Sequence, residues 1–503
     1  MTSDTTIILS TLNARYMHTA FGLRYIYANM GALQASTNIV EFTIQESPIN
    51  IVEQLLLHKP KIIGFSVYIW NVVELSKTVA MLKQIAPEVI IILGGPEVSH
   101  NPDSPALTEI ADYIISGPGE VSVTALCKQL LAGEKPNQKF IEGESLPLDQ
   151  LILPYQYYSD DDIKNRLIYV EASRGCPFKC EFCLSALDKT STAFPLVDFL
   201  AEMDKLLQRG VRNFKFIDRT FNLKISTTVT ILEFFLDRMT DDLYLHFELV
   251  PDNLPEKLKE VLQRFPEHSL QFEIGVQTFD PEIQTRISRR QNNDKSKANI
   301  RWLRENTGAH LHTDLIFGLP GDTLENFGHS FDQLVALKPQ EIQMGILKRL
   351  RGAPLNRHND NFDLRFNPDA PYNILSTKDI EFASMQRINR FARFWDMIAN
   401  SGRFAETLPL ILAEQPFERF LKLSDALYQL AGSTWKIALK RLFELLYTVL
   451  TTDFKIESEQ LKPFLAVDYA CAKLKGLPSY EQTAVSNKVS KIGIANKRQR
   501  SHQ

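Results

Sequence analysis

Residues 171–183 read EASRGCPFKCEFC. Three of the chain's five cysteines, Cys176, Cys180 and Cys183, fall inside these residues. They follow LIYVEAS at 167–173, a run with strand character. A strand that leads straight into a ligand-bearing loop sets the cysteines at its C-terminal end, where α/β barrels gather their active sites.

The strand is the first of a series. NFKFID, LYLHFEL, QFEIGV, HLHTDLIFG and EIQMGILK follow it, and amphipathic segments such as PLVDFLAEMDKLLQRG separate most of them. Six βα units are two short of a closed standard barrel. The expectation is therefore an open, partial (β/α)6 TIM-type barrel over residues 166–369. Beyond about residue 370 the strands stop and helical spacing takes over, as in STWKIALKRLFELLYTVLTTDF. Residues 370–487 read as a helical domain, and 488–503 as a basic flexible tail.

Upstream of the cysteines, TIILST, NIVEFTI, KIIGFSVY, VIIILGG and DYIISG are short, Ile/Val-rich and separated by helix-like sequence. That pattern predicts a parallel sheet buried on both faces, and five strands suit a flavodoxin-like (Rossmann-like) α/β domain over 1–135. Residues 136–165, with little pattern, read as a linker.

Composition sets the surroundings. The chain has 503 residues, 44% hydrophobic and 23% charged, with a net charge of −4. This balance gives no reason to expect a nucleic-acid partner. No apolar run is long enough for a bilayer, and the start, MTSDTTIILS, lacks signal-peptide features. The expected setting is a reducing cytoplasm, where five cysteines are not a disulfide framework.

Structural zinc asks for two ligand pairs, and no second Cys or His pair lies at a suitable spacing. A [4Fe–4S] cluster accepts three thiolates if its fourth iron takes another ligand. The C-x3-C-x2-C spacing in this strand–loop context resembles the radical S-adenosylmethionine (SAM) enzymes. The resemblance implies that Cys176, Cys180 and Cys183 hold the cluster and that SAM itself ligates the fourth iron. It further implies SAM contacts from Phe182 before the last cysteine, Asp218 in FIDRTFN and Glu248 in HFELVPDNL. Gln277 and Arg289 in EIGVQTFDPEIQTRISRR and Asp314 in HTDLIFGLPGDT match residues of the oxygen-independent coproporphyrinogen dehydrogenases of that superfamily. ILKRLRGAP looks like the last SAM-facing strand, with no role for Lys348 or Arg349.

In the first domain GFSVY, ILGGPEVS and SGPGE resemble cobalamin-binding segments, with Ser66, Gly94, Gly95, Gly117 and Gly119 beside the nucleotide tail. NARYMHTAFG departs from the D-x-H-x-x-G that supplies a histidine below cobalt, since the Asp is missing and His18 lies four residues before Gly22. Cobalamin is therefore expected without a protein imidazole. The helical region resembles the extension of an uncharacterised subfamily of cobalamin-domain radical SAM proteins.

The resemblance implies reductive cleavage of SAM, with radical modification, including C-methylation, of a substrate that no motif names. It also implies an external low-potential electron donor of the flavodoxin or ferredoxin type. Two alternatives are hydrogen abstraction beside a vestigial cobalamin domain, and a non-enzymatic iron–sulfur sensor or electron carrier. Methylthiotransferases need three more cysteines in the first domain, which has only Cys127.

Overall fold

The computed structural model describes residues 5–476, 478 and 480. The first sheet is wholly parallel and comprises β1 (Ile7–Asn13), β2 (Thr37–Thr43), β3 (Ile62–Ser66), β4 (Ile90–Gly94), β5 (Tyr113–Ser116) and β6 (Phe140–Glu142), in the order β2-β1-β3-β4-β5-β6. Strand β1 is buried at every position because helices cover both of its faces. Its polar side chains are all bonded: Ser10 Oγ donates to Val40 O at 2.8 Å, Thr11 Oγ1 to Ser66 O at 3.0 Å, and Asn13 Nδ2 to Glu41 Oε2 at 2.7 Å. The winding reverses between β1 and β3, the crevice where such sheets bind ligands.

The sheet has six strands, not five. The sixth, β6, lies in the stretch read as a linker and is too short for alternation to reveal. That stretch is also packed. Tyr155 and Tyr158 are fully buried, and Ser159 and Asp162 form a capping box on the helix Asp160–Asn165. Arg24, deeply buried, bonds Glu41 of β2 and Asp162, both at 2.7 Å, and Arg166 stands 3.2 Å from the same two carboxylates. This four-residue network welds the stretch to the first sheet.

The second sheet is the expected open barrel. Strand β7 (Ile168–Val170) is followed by an antiparallel hairpin, β8 (Ser173–Gly175) with β9 (Ser191–Ala193). Next come β10 (Asn213–Phe216), β11 (Tyr244–Leu249), β12 (Leu270–Gln277), β13 (His310–Phe317) and β14 (Glu341–Ile346). The parallel order is β14-β13-β12-β11-β10-β7, which leaves β7 and β14 as free edges. Phe214 and Phe216 pack on the outer helices through Phe235 and Phe199. Strict alternation therefore turns Lys215, His246, Glu248, Glu273, His312, Asp314 and Gln343 to the barrel interior.

Loops at the C-terminal edge of the first sheet cover the open seam. On the β7 side, His18 Nδ1 lies 2.6 Å from Tyr169 OH and Arg174 Nη1 pairs with Glu120 at 2.7 Å. On the β14 side, Glu97 takes Arg351 at 2.8 Å and Tyr372 OH at 2.8 Å, and Asp103 takes Arg349 at 2.8 Å and Arg351 at 2.6 Å.

Strands do not stop at 370, since β15 (Arg365–Phe366) pairs with β16 (Ile374–Ser376). The helices Phe382–Trp395, Pro416–Ala431, Leu439–Thr452 and Ser458–Cys471 follow. Phe391 and Trp395 pack edge to face on Phe331 of the barrel helix Leu324–Val335, and Phe420 packs edge to face on both of them. Asn400 bonds both the N–H and the carbonyl of Ile342, each at 3.0 Å, and so caps the exposed edge of β14. The tail at 488–503 lies outside the described residues.

Candidate functional site

The cysteine loop leaves the sheet at β7 and is bracketed by the β8–β9 hairpin. Gly175 makes the turn into it with φ +94°, and a Cβ there would stand 2.4 Å from Thr190 O, so only glycine fits. Within the loop, Cys183 N donates to Cys180 O at 3.1 Å. Burial pushes the Cys176 and Cys180 thiols up, and Arg219 and Arg289 respectively oppose that rise. Among the described residues no group of three or more His, Cys, Asp or Glu converges on one point, as a single-ion site requires. A cubane needs something different, one thiolate at each of three corners.

The other rim residues come from successive strand ends. Glu248, last but one in β11, pairs with Arg219 at 3.1 Å; burial pushes its carboxyl up and Arg219 opposes this. Gln277 ends β12 at a bulge, with φ +69° and its Oε1 buried without a hydrogen bond. Such strain in a non-glycine residue gathers at ligand sites. Arg289, from the following loop, donates to Gly275 O and stands 3.6 Å from Cys180 Sγ.

Asp314 of β13 is pushed up by burial, with His312 opposing. His312 Nε2 lies 3.2 Å from Asp314 Oδ1, yet it bonds Gln343 Oε1 at 2.9 Å, and Asp314 Oδ1 is left without a hydrogen bond. Two orphaned acceptors, on Gln277 and Asp314, suit a ligand that carries hydroxyl or ammonium donors. Phe182 is half-buried against the barrel core.

Asp218 follows the end of β10. Its oxygens accept from Ala172 N at 3.0 Å and Ser173 Oγ at 2.6 Å, and burial pushes its carboxyl up to about 7. Both oxygens of the carboxylate hold the start of the cysteine loop.

Arg219 and Glu181 were missed, since neither belongs to a spacing pattern. The interior set of Lys215, His246, Glu273 and His312 was missed as well, though the alternation in LHFEL and FEIGV was its signal. His246 Nε2 and Lys215 Nζ both reach Glu273 Oε2, at 3.1 and 3.3 Å, and burial pushes His246 down to about 4.

In the first domain Ser66 ends β3 and Gly94 ends β4, while Gly95 follows β4 and Gly117 and Gly119 follow β5, all at the C-terminal edge of the sheet. Gly95 has φ +104°, and a Cβ there would meet Val67 O at 2.6 Å, so its clearance serves the chain's own backbone. A Cβ at Gly117 would meet nothing within 4 Å, and at Gly94 only Ile115 O at 3.8 Å; at Gly119 the nearest atom is Ile26 Cδ1 at 3.2 Å. His18 Nδ1 lies 2.6 Å from Tyr169 OH.

Three family models match the chain: the B12 binding domain at residues 8–127, the radical SAM superfamily at 170–334, and a protein family of unknown function, DUF4080, at 360–501. An uncharacterized methyltransferase of Pyrococcus horikoshii is 22% identical over 60% of this chain and 70% of its own length. The cobalamin-dependent radical SAM methyltransferase TokK of Streptomyces tokunonensis is 24% identical over 62% of this chain and 50% of its own. The solved structure of the cobalamin-dependent SAM radical enzyme OxsB with aqua-cobalamin has the same fold, with a TM-score of 0.64 at 14% identity over 92% of this chain and 84% of that one. The cofactors that go with these domains are a [4Fe–4S] cluster, SAM and cobalamin. The matched segments span β1–β5 of the first sheet and β10–β13 of the second, and the chain carries an enzyme domain of the radical SAM type behind a B12 binding domain.

Proposed function

We propose that this radical SAM enzyme cleaves SAM reductively at the barrel rim and methylates a carbon of its substrate, with cobalamin held at the facing edge of the first domain. The observation that carries the reading is the pair of buried acceptor atoms without a hydrogen bond, Asp314 Oδ1 and Gln277 Oε1, at the same rim as the three cysteines. When bound, the cluster supplies the electron for SAM cleavage and cobalamin supplies a methyl carrier. Cys176, Cys180 and Cys183 would hold the cluster. Glu248, Gln277, Arg289 and Asp314 would orient SAM, with Phe182 beside it.

Loops of the first domain lie over the seam of the barrel. Ser66, Gly94, Gly117 and Gly119 would face the cobalamin tail. The missing Asp in NARYMHTAFG, which would hold a histidine below cobalt, supports a cobalt without a protein imidazole. An external low-potential donor, of flavodoxin or ferredoxin type, would deliver the electron. The five free cysteines fit a reducing cytoplasm. Among the described residues no helix is long and apolar enough to cross a membrane.

A second reading omits cobalamin and keeps hydrogen abstraction, favoured by the Val67 carbonyl that fills the clearance at Gly95. Anaerobic reconstitution in the presence of cobalamin, followed by metal, cofactor and 5′-deoxyadenosine analysis, separates these readings. The expected result is one cluster, bound cobalamin, and dithionite-dependent 5′-deoxyadenosine. Replacing all three cysteines with Ala should abolish iron and the broad visible absorption; iron retained there would refute the cluster assignment.

A further inference from the structure

Glu181 lies inside the cysteine loop, between Cys180 and Cys183, and is only 2% exposed. A carboxylate so deep must be paired and hydrogen-bonded. Ser288 Oγ donates to its Oε1 at 2.5 Å, the Arg357 guanidinium donates to the same oxygen, and His358 Nε2 stands 2.9 Å from Oε2. Its backbone is held as firmly: Glu181 N donates to Ile287 O at 3.0 Å and receives Leu355 N on its carbonyl at 3.0 Å. One residue thus joins the loop to two distant segments. The first, around Ser288, also carries Arg289 against Cys180. The second, the short 3-10 helix Pro354–His358, lies beyond β14 and leads toward the helical C-terminal region.

We propose that Glu181 is a positioning residue for the cluster, acting through a clamp with Ser288, Arg357 and His358 that sets the place and the local charge of the loop bearing Cys180 and Cys183. The inference rests on those cysteines being cluster ligands. Residues 176–183 form no helix or strand, so their spacing must be imposed from outside. Three thiolates on a rigid cubane tolerate little drift, and the clamp supplies anchors on both sides. Charge follows the same geometry. Cluster potentials respond to neighbouring charge and to solvent access. Glu181 places a negative group beside the cluster, and Arg357, with its side chain 62% exposed, balances it from the solvent side. Through Arg357 and His358, displacement of the segment that leads to the C-terminal region would be felt at the cluster.

The test uses the full chain with Glu181→Gln and Arg357→Met. Iron and sulfide content, electron paramagnetic resonance of the reduced cluster without SAM, and the midpoint potential are measured after anaerobic reconstitution. The iron-free chain is digested with protease and cuts within 176–190 are mapped. Loss of the carboxylate should raise the midpoint potential, and loss of the guanidinium should lower it. The iron-free loop of Glu181→Gln should be cut about tenfold faster, as for a lost charge-assisted bond. A Glu181→Gln chain that folds but takes up no iron also bears the clamp out, with Arg357→Met then reporting the charge effect. Unchanged potential, spectrum and cleavage in both variants would overturn the proposal, as would shifts of the same sign. If the wild-type chain took up no iron, the cysteine reading would fall, and loop cleavage unchanged in Glu181→Gln would overturn the clamp independently.

Discussion

Asp314→Ala should weaken SAM binding about tenfold to a hundredfold and leave the cluster in place. The side chain is half-buried in the second half of β13, and its Oδ1 makes no hydrogen bond because the neighbouring His312 Nε2 is used by Gln343 at 2.9 Å. A ligand hydroxyl meeting that oxygen would form a charge-assisted bond inside a low-dielectric site, worth about 1.5–3 kcal/mol. At about 1.4 kcal/mol per decade this range is roughly tenfold to a hundredfold in Kd. Asp314→Asn keeps an acceptor of the same shape without the charge, so its loss should be smaller than that of Ala. Anaerobic isothermal titration of SAM into reconstituted protein, normalised to iron, measures both. Kd values within twofold of wild type for both variants, at equal iron content, would refute the placement of SAM against Asp314.

Arg24→Met should destabilise the chain by about 3–5 kcal/mol in denaturant unfolding, because Glu41 and Asp162 would keep only Arg166 as a cationic partner in a buried site; a loss under about 1 kcal/mol would show the network to be weakly coupled. Asp218 makes stability fall with rising pH. Its folded value of about 7 lies above its ordinary 3.8, so its stabilising effect is full below about pH 4 and is lost as pH rises through 7, by about 4 kcal/mol in all. The stability difference between wild type and Asp218→Asn should therefore change over that window, and a difference constant with pH would contradict the burial argument. His18→Ala should leave the electron paramagnetic resonance spectrum of bound Co(II) cobalamin without any change in nitrogen splitting; a splitting present in wild type and lost in the variant would make His18 a cobalt ligand.

The sequence was legible where chemistry or periodicity is local. The glycine-led cysteine loop, the six barrel strands and five strands of the first sheet all lie where residue pattern places them. Each depends on a strand's own alternation or on spacing within a few residues. The three-residue β6 escaped because so short an element has no period to read, and only pairing with β5 defines it.

Tertiary structure decided how distant segments meet. No pattern in FIDRTFN reveals that Asp218 turns back to Ala172 and Ser173, or that Arg219 turns to Glu248. Glu181 meets Arg357 and His358 across more than 170 residues. Glu97 and Asp103 reach the far edge of the barrel at Arg349 and Arg351. The cofactor chemistry was thus written in short spacings, because the three clustered cysteines lie within eight residues of one loop. The orphaned acceptors, the covered seam and the clamp arise only on folding, because burial and charge pairing belong to neighbours in space, and a linear pattern carries no record of those neighbours.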